Sequence, residues 1–463
     1  MRRLSFPAAA ILMLAICGCK VGPNYKRPAV VVPGQYRGNA PDLPNPPVAE
    51  PFAEMQWQNV FQDKTLQDLI REAIANNYDM RIAAARILEA RASLGVTRAN
   101  QLPSVNGTVS VTNERSEQYY PHAPTFDLAG LQLNYVVDFW GQFRRATEAA
   151  RATLLGTVYA RDVVQTSLIA SVANAYYTLR QLDSQLDFSQ QSVSSDQESL
   201  RINSINFKGG EYAITDVYQS QLLVQQAQVE VITLQQSIEQ TENQISILLG
   251  RNPGPIPRGL PLVEEPHMSE VPAGLTSALL ERRPDVRQAE QSLVAANANV
   301  GVAKAAFFPQ IPLTAAFGAQ STALTSFLQG PATFWSLGGE IAQPLYAGGA
   351  ITSRYRLAWA QREEAELNYR NTVQQAFEDV SNSLVGYYQA RKYRVKVQEQ
   401  TDTYRETSRL ANVRFKGGAT SFLEVLTTQQ QYFTSELSLE QAWSTELQSY
   451  VGLYQALGGG WQP

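Results

Sequence analysis

Alternation of apolar and polar residues predicts four short β-strands, each with one apolar face. The first half of the chain carries this pattern at Leu131, Leu133, Tyr135, Val137 and Phe139, and more weakly at Val105, Val109 and Val111. The second half carries it at Ile311, Leu313, Ala315, Phe317 and Ala319, and again at Trp335, Leu337, Gly339 and Ile341. The pattern therefore predicts two strands in each half of the chain.

Four strands cannot close a barrel on their own. An open sheet in a bilayer would leave the backbone groups of its edge strands without hydrogen-bond partners. If the apolar face meets lipid, further copies of the chain must therefore complete the sheet. The alternative is a soluble sandwich formed by the four strands, because alternation alone does not distinguish lipid from a protein core.

Long helices are predicted after each pair of strands. From Arg144 to Phe207 the sequence has no proline and no obvious break, which corresponds to a helix of roughly 95 Å at about 1.5 Å per residue. A heptad of apolar residues then indicates a coiled-coil seam, with glutamines between its positions that face water. Its members are Val217, Val224, Val231, Ile238 and Ile245, and the second half repeats the theme less strictly at Val425, Tyr432, Leu439 and Leu453.

Short sequence landmarks recur in the same order in both halves, which indicates an internal duplication. The pairs are Asp79-Met80-Arg81 with Asp285-Val286-Arg287, Leu102-Pro103-Ser104-Val105 with Phe308-Pro309-Gln310-Ile311, Val172-Ala173-Asn174 with Val380-Ser381-Asn382, Phe207-Lys208-Gly209-Gly210 with Phe415-Lys416-Gly417-Gly418, and Leu249-Gly250 with Leu457-Gly458. The separation rises from 206 residues (285 − 79) to 208 (415 − 207), which predicts a small insertion near Ala347-Gly348.

The duplication sets the predicted domain boundaries. Each repeat is expected to contain a helix, two strands and two long helices joined by a Gly-Gly turn. The predicted segments are a signal peptide at 1–18, a lipid anchor with a proline-rich extended strap at 19–60, repeat one at 61–250, a proline-rich linker at 251–272, repeat two at 273–458 and a tail at 459–463.

Composition narrows the classes of function. The 463 residues carry a net charge of −4 and no basic run, which argues against a nucleic-acid partner. Only two histidines and two cysteines occur, so zinc binding, histidine catalysis and a disulfide framework are poorly supported. No nucleotide-binding loop or catalytic triad is visible. The sequence therefore predicts neither an enzyme nor a metal site.

The N-terminus has the pattern of a secretory signal peptide, with Arg2 and Arg3 before the apolar segment from Phe6 to Ile16. Its end, Cys17-Gly18-Cys19, resembles a bacterial lipobox, in which Cys19 would receive a diacylglycerol and an N-acyl chain. Cys17 departs from the small residue that is usual at that position, and an ordinary signal peptide is the alternative. Lys20 after the lipidated position implies export to the outer membrane rather than retention at the inner one.

Several motifs carry a resemblance to a known family. They are Val21-Gly22-Pro23-Asn24-Tyr25-Lys26-Arg27-Pro28, Val271-Pro272-Ala273-Gly274-Leu275, Leu280-Glu281-Arg282-Arg283-Pro284-Asp285-Val286, Phe307-Phe308-Pro309-Gln310-Ile311, and Pro344-Leu345-Tyr346 followed by Gly348-Gly349. The chain resembles TolC-like outer-membrane efflux factors of the lipoprotein, nodulation/multidrug type. The resemblance covers nearly all of residues 19–458.

The resemblance implies an α+β fold. Each chain would give four strands to a twelve-stranded outer-membrane β-barrel in a homotrimer, continued by a long coiled-coil α-helical barrel that projects into the periplasm. The implied function is a passive exit duct of a tripartite efflux system for drugs or other small toxic compounds. Its implied partners are a periplasmic adaptor (membrane fusion protein), an inner-membrane resistance-nodulation-division pump and outer-membrane lipid. Two alternatives are an exit duct for peptide or protein secretion and a periplasmic scaffold without a pore.

The Gly-Gly turns are candidate contact sites, because two glycines permit a positive φ and a tight reversal between helices. They comprise Lys208, Gly209 and Gly210 in repeat one and Lys416, Gly417 and Gly418 in repeat two. By resemblance, these turns form the periplasmic tip that meets the adaptor. The alternative is simple helix capping with no partner.

Residues just after the second turn close the tunnel in the family that the chain resembles. The corresponding positions here are Leu423, Glu424 and Thr427, and Asp216 is the equivalent of Glu424 in repeat one (424 − 216 = 208). Thr427 departs from the aspartate of many relatives, which puts a second acidic ring in doubt. The alternative for both acids is a solvated helix face.

Overall fold

The computed structural model describes residues 20–34, 52, 55–113, 125–266, 278–321 and 332–461. The predicted signal peptide, Cys19, much of the strap, part of the linker and the loops between paired strands lie outside the described residues. The chain divides into two structural units. The first comprises residues 1–30, 85–158 and 288–371, and the second comprises residues 31–84, 159–287 and 372–463.

The first unit contains a single antiparallel sheet of four strands in the order β1-β2-β3-β4. The strands are β1 (Ser104–Asn113), β2 (Thr125–Val136), β3 (Pro312–Ser321) and β4 (Thr333–Gly339). The two hairpins join through β2 and β3, so each repeat contributes one hairpin. The predicted four strands are confirmed. The alternative of a two-sheet sandwich is wrong, because the strands pair edge to edge in one sheet.

The register places the predicted apolar residues on one face of the sheet. Leu131 lies opposite Gly107 and Phe317, and Phe317 lies opposite Trp335. Residues of this face are exposed in the single chain, with 82% of Val109 and 77% of Trp335 accessible. In the described part of the chain, β1 and β4 have no strand at their outer edges. An apolar face and two open edges are thus left for other molecules to cover.

The strands end earlier than the alternation predicted. β2 ends at Val136, so Val137 and Phe139 lie outside it. After the strand, the Trp140 ring stacks on Phe308 with a centroid distance of 4.6 Å and donates a hydrogen bond to the carbonyl oxygen of Pro309. Phe139, which the alternation had assigned to the sheet face, instead packs against Trp140 with a centroid distance of 4.8 Å.

The helices confirm the duplicated plan. They are α1 (Trp57–Val60), α2 (Lys64–Asn76), α3 (Tyr78–Ala99), α4 (Gln142–Lys208), α5 (Ile214–Leu248), α6 (Leu279–Arg282), α7 (Pro284–Ala305), α8 (Ala350–Lys416) and α9 (Phe422–Ala456). Helices α4 and α8 both have 67 residues, and α5 and α9 both have 35. The start of α7 lies 206 residues after that of α3 (284 − 78), and α8 starts 208 after α4 (350 − 142). The two extra residues therefore fall between the end of α7 and the start of α8.

Most of the predicted heptad seam is buried in the second unit, whereas Val217, Val231 and Tyr432 are half-buried. Val224, Ile238 and Ile245 of α5 are buried, and so are Val425 and Leu439 of α9. The intervening glutamines of α5 are exposed or half-buried. Helices α4 and α9 also contact each other, with 2.7 Å between the Gln181 amide nitrogen and the Gln441 oxygen. Among the described residues, no helix combines the length and the apolarity needed to cross a membrane.

Candidate functional site: the helix-hairpin turns and the N-terminal strap

The first Gly-Gly turn ends α4 with a hydrogen-bonded reversal known as a Schellman motif. Gly210 adopts a φ of +81°. Its N–H donates to the carbonyl oxygen of Phe207 at 3.0 Å, and the N–H of Glu211 donates to that of Asn206 at 2.9 Å. The left-handed conformation satisfies the last carbonyl groups of the helix, and α5 begins four residues later at Ile214.

The second turn repeats this geometry at the end of α8. Gly418 has a φ of +71°, its N–H donates to Phe415 at 2.9 Å, and the N–H of Ala419 donates to Arg414 at 2.8 Å. In each pair only the second glycine is left-handed. A Cβ on Gly417 would lie 3.5 Å from the carbonyl oxygen of Val413, which is an ordinary contact.

Alanine at Gly418 is therefore expected to destabilise the protein by about 1 kcal/mol, because an L-residue with a Cβ is strained at that φ. Gly417→Ala is the matched control and is expected to change the free energy of unfolding by less than about 0.5 kcal/mol. Thermal unfolding of the two purified variants measures the difference. Equal shifts in the two variants would contradict the assignment of strain to Gly418.

The two turns lie side by side in the second unit. The Tyr212 ring from the first turn lies 5.2 Å, centroid to centroid, from the Phe415 ring of the second. Phe415 in turn contacts Phe422, which belongs to a cluster with Ala411 and Val425. All six candidate contact residues are exposed, namely Lys208, Gly209, Gly210, Lys416, Gly417 and Gly418. The structure thus gathers them on one exposed end of the helix hairpins.

The candidate gate residues fall on the first turns of the helices that follow. Leu423 is 56% exposed and Thr427, one helical turn later, is also exposed. The Thr427 hydroxyl donates to the carbonyl oxygen of Leu423 at 2.9 Å. The Thr427 hydroxyl is therefore bonded within the helix. The exposed face thus carries the Leu423 side chain and the methyl group of Thr427.

The two candidate acids occupy the third position of their helices, where a negative charge favours the helix N-terminus. Asp216 accepts a hydrogen bond from the N–H of Ala213 at 3.2 Å, so it caps α5. Glu424 forms an ion pair with Arg414 at 2.7 Å and accepts a hydrogen bond from the Thr420 hydroxyl. The equivalent residues thus have different partners in the two repeats.

Sequence reasoning missed Arg414. It lies in the last turn of α8, two residues before Lys416, so the chain reversal brings it beside the start of α9. The hairpin geometry, rather than any local pattern, pairs it with Glu424. Because both side chains are partly exposed, the pair itself contributes little to stability, roughly 0–1 kcal/mol. It does place a positive charge next to Glu424.

A small acidic cavity of about 220 Å³ lies between α4 and α9, further along the same helices. Asp187, Glu436 and Glu440 contribute to its lining. One carboxylate oxygen of Glu440 is buried and has no hydrogen-bond partner in the described structure. Burial, with the negative charge of Glu436, raises the pKa of Glu440 to about 7. Ser184 and Asp187 face it from α4, and no basic group lines this cavity.

This raised pKa predicts that stability falls as the pH rises. Between about pH 4.5 and 7 the folded protein holds a proton on Glu440 that the unfolded chain has released, so folding becomes less favourable as pH increases through that window. Glu440→Gln is expected to stabilise the protein by about 1–2 kcal/mol at pH 8 and by less at pH 5. Thermal unfolding at both pH values measures this. Glu399→Gln, at an exposed ion pair with Lys396, is the control and should show no such pH dependence.

The N-terminal strap is bound to the first unit by a buried arginine. Arg145 of α4 is only 1% exposed. Its guanidinium donates to the carbonyl oxygens of Val21 at 3.1 Å and Gly22 at 3.2 Å, and to the side-chain oxygen of Asn24 at 2.8 Å. Lys20 adds an ion pair with Glu148. The residues directly after the predicted lipid anchor are thus held on α4.

Helix α7 holds the other side of the strap. Glu290 accepts hydrogen bonds from the Tyr25 hydroxyl at 3.0 Å and the Arg27 guanidinium at 2.8 Å. Gly22 has a φ of +95° and lies so close to Gly301 that a Cβ on Gly22 would be 2.4 Å from its Cα. Residues 20–34 contain no helix and no strand, which agrees with the proline content, and the extended strap of 19–60 stays a prediction. The octapeptide that carried the family resemblance is therefore a docking segment.

A four-stranded antiparallel sheet and two pairs of long helices joined by Gly-Gly turns define the TolC-like class of outer-membrane channel proteins. The chain belongs to the outer membrane efflux protein family, whose sequence pattern matches residues 69–251 and 275–459. The two matched segments confirm the duplication. The exact bounds of the predicted domains and the roles of the gate and turn residues remain predictions.

Known proteins are similar over nearly the whole chain. The solvent efflux pump outer membrane protein SrpC of Pseudomonas putida is 33% identical over 474 residues, which cover 100% of this chain and 99% of that protein. The cation efflux system protein CusC of Escherichia coli O6:H1 is 30% identical, and the match covers 97% of this chain and 97% of that protein. The open-state structure of the MtrE outer membrane channel of Neisseria gonorrhoeae superposes with a TM-score of 0.87 at 28% identity, over 96% of this chain and 99% of that one.

Family membership confirms the central predictions of the sequence. The protein is an outer-membrane efflux channel component of a bacterium, and it is a transport protein rather than an enzyme. Its predicted fold class is also confirmed.

Proposed function

We propose that three copies of the chain form a passive exit duct across the bacterial outer membrane. The observation that carries this proposal is the sheet of the first unit, which has an exposed apolar face and two open edges. Three sheets of four strands give twelve strands, and pairing β4 of one copy with β1 of the next removes every edge. The apolar residues Val109, Phe317 and Trp335 would then face lipid.

The cargo of the duct is proposed to be small toxic compounds such as drugs or organic solvents. Relatives of this chain are named as outer membrane proteins of solvent, toluene and antibiotic efflux pumps, and others as cation efflux proteins. These names favour efflux over the alternative of peptide or protein secretion. Transport energy would come from an inner-membrane pump of the resistance-nodulation-division class, linked to the duct by a periplasmic adaptor that contacts the Gly-Gly turns.

Conductance of the full-length protein in liposomes tests the duct. We expect ion-conducting channels, together with a trimer mass in chemical cross-linking of the detergent-solubilised protein. A trimer without conductance would support a periplasmic scaffold instead. A monomer that does not conduct would contradict both the duct and the proposed closure of the sheet.

The lipid anchor is proposed to be Cys19, which would carry a diacylglycerol and an N-acyl chain and hold the protein at the outer membrane. The docking of Lys20, Val21 and Gly22 on α4 supports this, because it fixes the chain directly beside the modified residue. Cells grown with radiolabelled palmitate test it. The wild-type protein should incorporate the labelled palmitate. Incorporation of the label by a Cys19→Ser protein would contradict the assignment of Cys19 as the lipidated residue.

The gate is proposed to form from Leu423, Glu424 and Thr427 of the three chains, with Asp216 on the neighbouring helix. Replacing both Leu423 and Glu424 by alanine removes the exposed apolar side chain and the carboxylate together, and leaves Arg414 unpaired. We expect single-channel conductance to rise several-fold in this variant. Glu406→Ala, which breaks an exposed ion pair with Arg409 on α8, is the control. Unchanged conductance in the double variant would refute the proposed gate.

A further inference from the structure

A second cavity, separate from the candidate gate, opens among the four long helices of the second unit. Its volume is about 440 Å³, and α4, α5, α8 and α9 all contribute to its lining. Small-molecule sites in proteins typically have volumes of about 300–1,000 Å³. The cavity is therefore large enough for a compound with one or two rings.

One wall of this cavity is aromatic. Phe188 of α4 meets Tyr432 and Phe433 of α9, with centroid distances of 5.8 Å and 5.6 Å. The Tyr432 ring stands nearly perpendicular to that of Phe188, at 87°, and the Phe433 ring is tilted by 30°. Aromatic faces carry negative electrostatic potential and therefore attract both aromatic rings and cations.

A carboxylate without a partner lies in the same cavity. Asp196 of α4 is half-buried, and it makes no hydrogen bond or ion pair with any described residue. Burial raises its pKa to about 6, so it is ionised at neutral pH. Burial of an ionised carboxylate is unfavourable unless a positive charge compensates it.

The two basic residues of the cavity do not supply that charge. Arg405 is bonded to Glu436 at 2.6 Å and to Asp402 at 3.1 Å, and Arg409 is bonded to Glu406 at 2.6 Å. Both guanidinium groups are thus already paired with carboxylates that lie outside the lining of the cavity. The lining from α5 and α9 is uncharged, with Leu223, Gln226 and Ala227 on α5 and Gln429 and Gln430 beside the aromatic residues on α9. Asp196 is therefore the one charged group in the lining of this cavity that has no ion-pair partner among the described residues.

We propose that this cavity binds small protonated aromatic amines. The ammonium group would pair with the Asp196 carboxylate, and the ring would pack against Phe188, Tyr432 and Phe433. Such a ligand would touch both helix hairpins at once, so its binding would stabilise their packed arrangement. All of its lining residues belong to the helices of one chain, so the site does not require the proposed trimer.

Phenethylamine and its neutral analogue 2-phenylethanol distinguish charge recognition from simple ring burial. Isothermal titration calorimetry on the full-length, detergent-solubilised protein at pH 7.5 measures both. We expect the amine to bind at least about tenfold more tightly than the alcohol, since a partly desolvated ion pair with cation–π contacts contributes that much or more. Equal binding of the two compounds, or no binding of the amine at millimolar concentration, would overturn the proposal.

Substitution at Asp196 tests the residue itself. Asp196→Asn keeps the shape of the side chain and removes the buried charge, so the variant should fold at least as well as the wild type. It should lose the preference for the amine, with affinity reduced about tenfold or more. Glu198→Gln on the same helix, where the carboxylate is exposed and paired with Arg201, is the matched control and should bind like the wild type. An Asp196→Asn protein with unchanged affinity for the amine would refute the site.

The same carboxylate makes the binding depend on pH. At pH 5, one unit below the pKa of Asp196, only roughly a tenth of the protein carries the charge. Amine affinity should therefore fall about tenfold between pH 7.5 and pH 5 in the wild type, and it should stay constant in Asp196→Asn. The same fall in both proteins would assign the pH effect to another group and contradict the role of Asp196.

Discussion

Replacement of Asp63 by alanine is expected to destabilise the protein by about 3–4 kcal/mol, because this one carboxylate holds three donors in the interior of the second unit. It is only 3% exposed. One oxygen accepts the Tyr176 hydroxyl at 2.6 Å and the N–H of Leu260 at 3.1 Å, and the other accepts the N–H of Thr65 at 2.8 Å at the start of α2. All three donors would be left unsatisfied in the alanine variant.

The Asp63 contacts join parts of the chain that are far apart in sequence. Tyr176 lies in α4, and Leu260 lies in the proline-rich linker between the repeats. Burial, with the neighbouring Asp63, raises the pKa of Tyr176, so its hydroxyl is protonated and donates at neutral pH. The same hydroxyl accepts the N–H of Gly259 at 2.8 Å. Loss of Asp63 would thus free the linker as well as the start of α2.

Thermal unfolding of the solubilised protein measures the effect, with two comparison variants. Asp63→Asn keeps one acceptor oxygen and should fall between the wild type and the alanine variant. Asp68→Ala, on the exposed face of α2 where the carboxylate pairs with Arg71, should cost less than about 1 kcal/mol. If Asp63→Ala and Asp68→Ala shift the unfolding midpoint equally, Asp63 does not have the anchoring role assigned to it.

Replacement of Arg145 by methionine is expected to release the N-terminal strap from the first unit. Methionine retains much of the apolar stem but cannot donate to Val21, Gly22 and Asn24. Hydrogen bonds from a charged donor each contribute about 1.5–3 kcal/mol, and loss of the set should raise the population of the undocked strap by at least roughly 30-fold. The bonds to Glu290 and Glu148 would then hold the segment together with two further bonds, from Asn297 to the Pro23 carbonyl oxygen and from the Val21 N–H to the Trp140 carbonyl oxygen.

Trypsin cleavage after Lys26 reports strap release, because Lys26 is exposed but its backbone must leave the surface to be cut. Mass spectrometry of the N-terminal fragment should show cleavage roughly 30-fold faster in Arg145→Met than in the wild type. Arg151→Met, at an exposed position on the same helix, is the control and should leave the rate unchanged. An unchanged rate in Arg145→Met would show that the strap is held mainly by α7.

Local sequence patterns predicted the features that depend on local physics. Residues Val105, Leu131, Phe317 and Trp335 alternate with polar neighbours, and they share a face because side chains in a strand point alternately to two sides. Val224, Ile238 and Ile245 are buried because seven residues make nearly two helical turns, so residues seven apart return to the same face of the helix. The Gly-Gly turns were predictable because a positive φ favours glycine.

The long-range pairs could not be predicted in this way. Arg414 meets Glu424 only through the geometry of the turn, and Arg145 meets Val21 across more than a hundred residues of chain. Asp196 appeared in the sequence as one more polar residue on a long helix. Its significance comes from burial among side chains of three other helices, which no periodicity within α4 encodes.

The docking site of the strap has a consequence for the order of events during synthesis. The strap leaves the ribosome first, yet its acceptors are Arg145 on α4 and Glu290, Asn297 and Gly301 on α7. Contacts at such a sequence separation form slowly, because a large loop must close before they are made. The N-terminus of this chain therefore completes its fold after α7 of the second repeat has formed. The segment nearest the membrane anchor should be the last part of the first unit to acquire protection from hydrogen exchange.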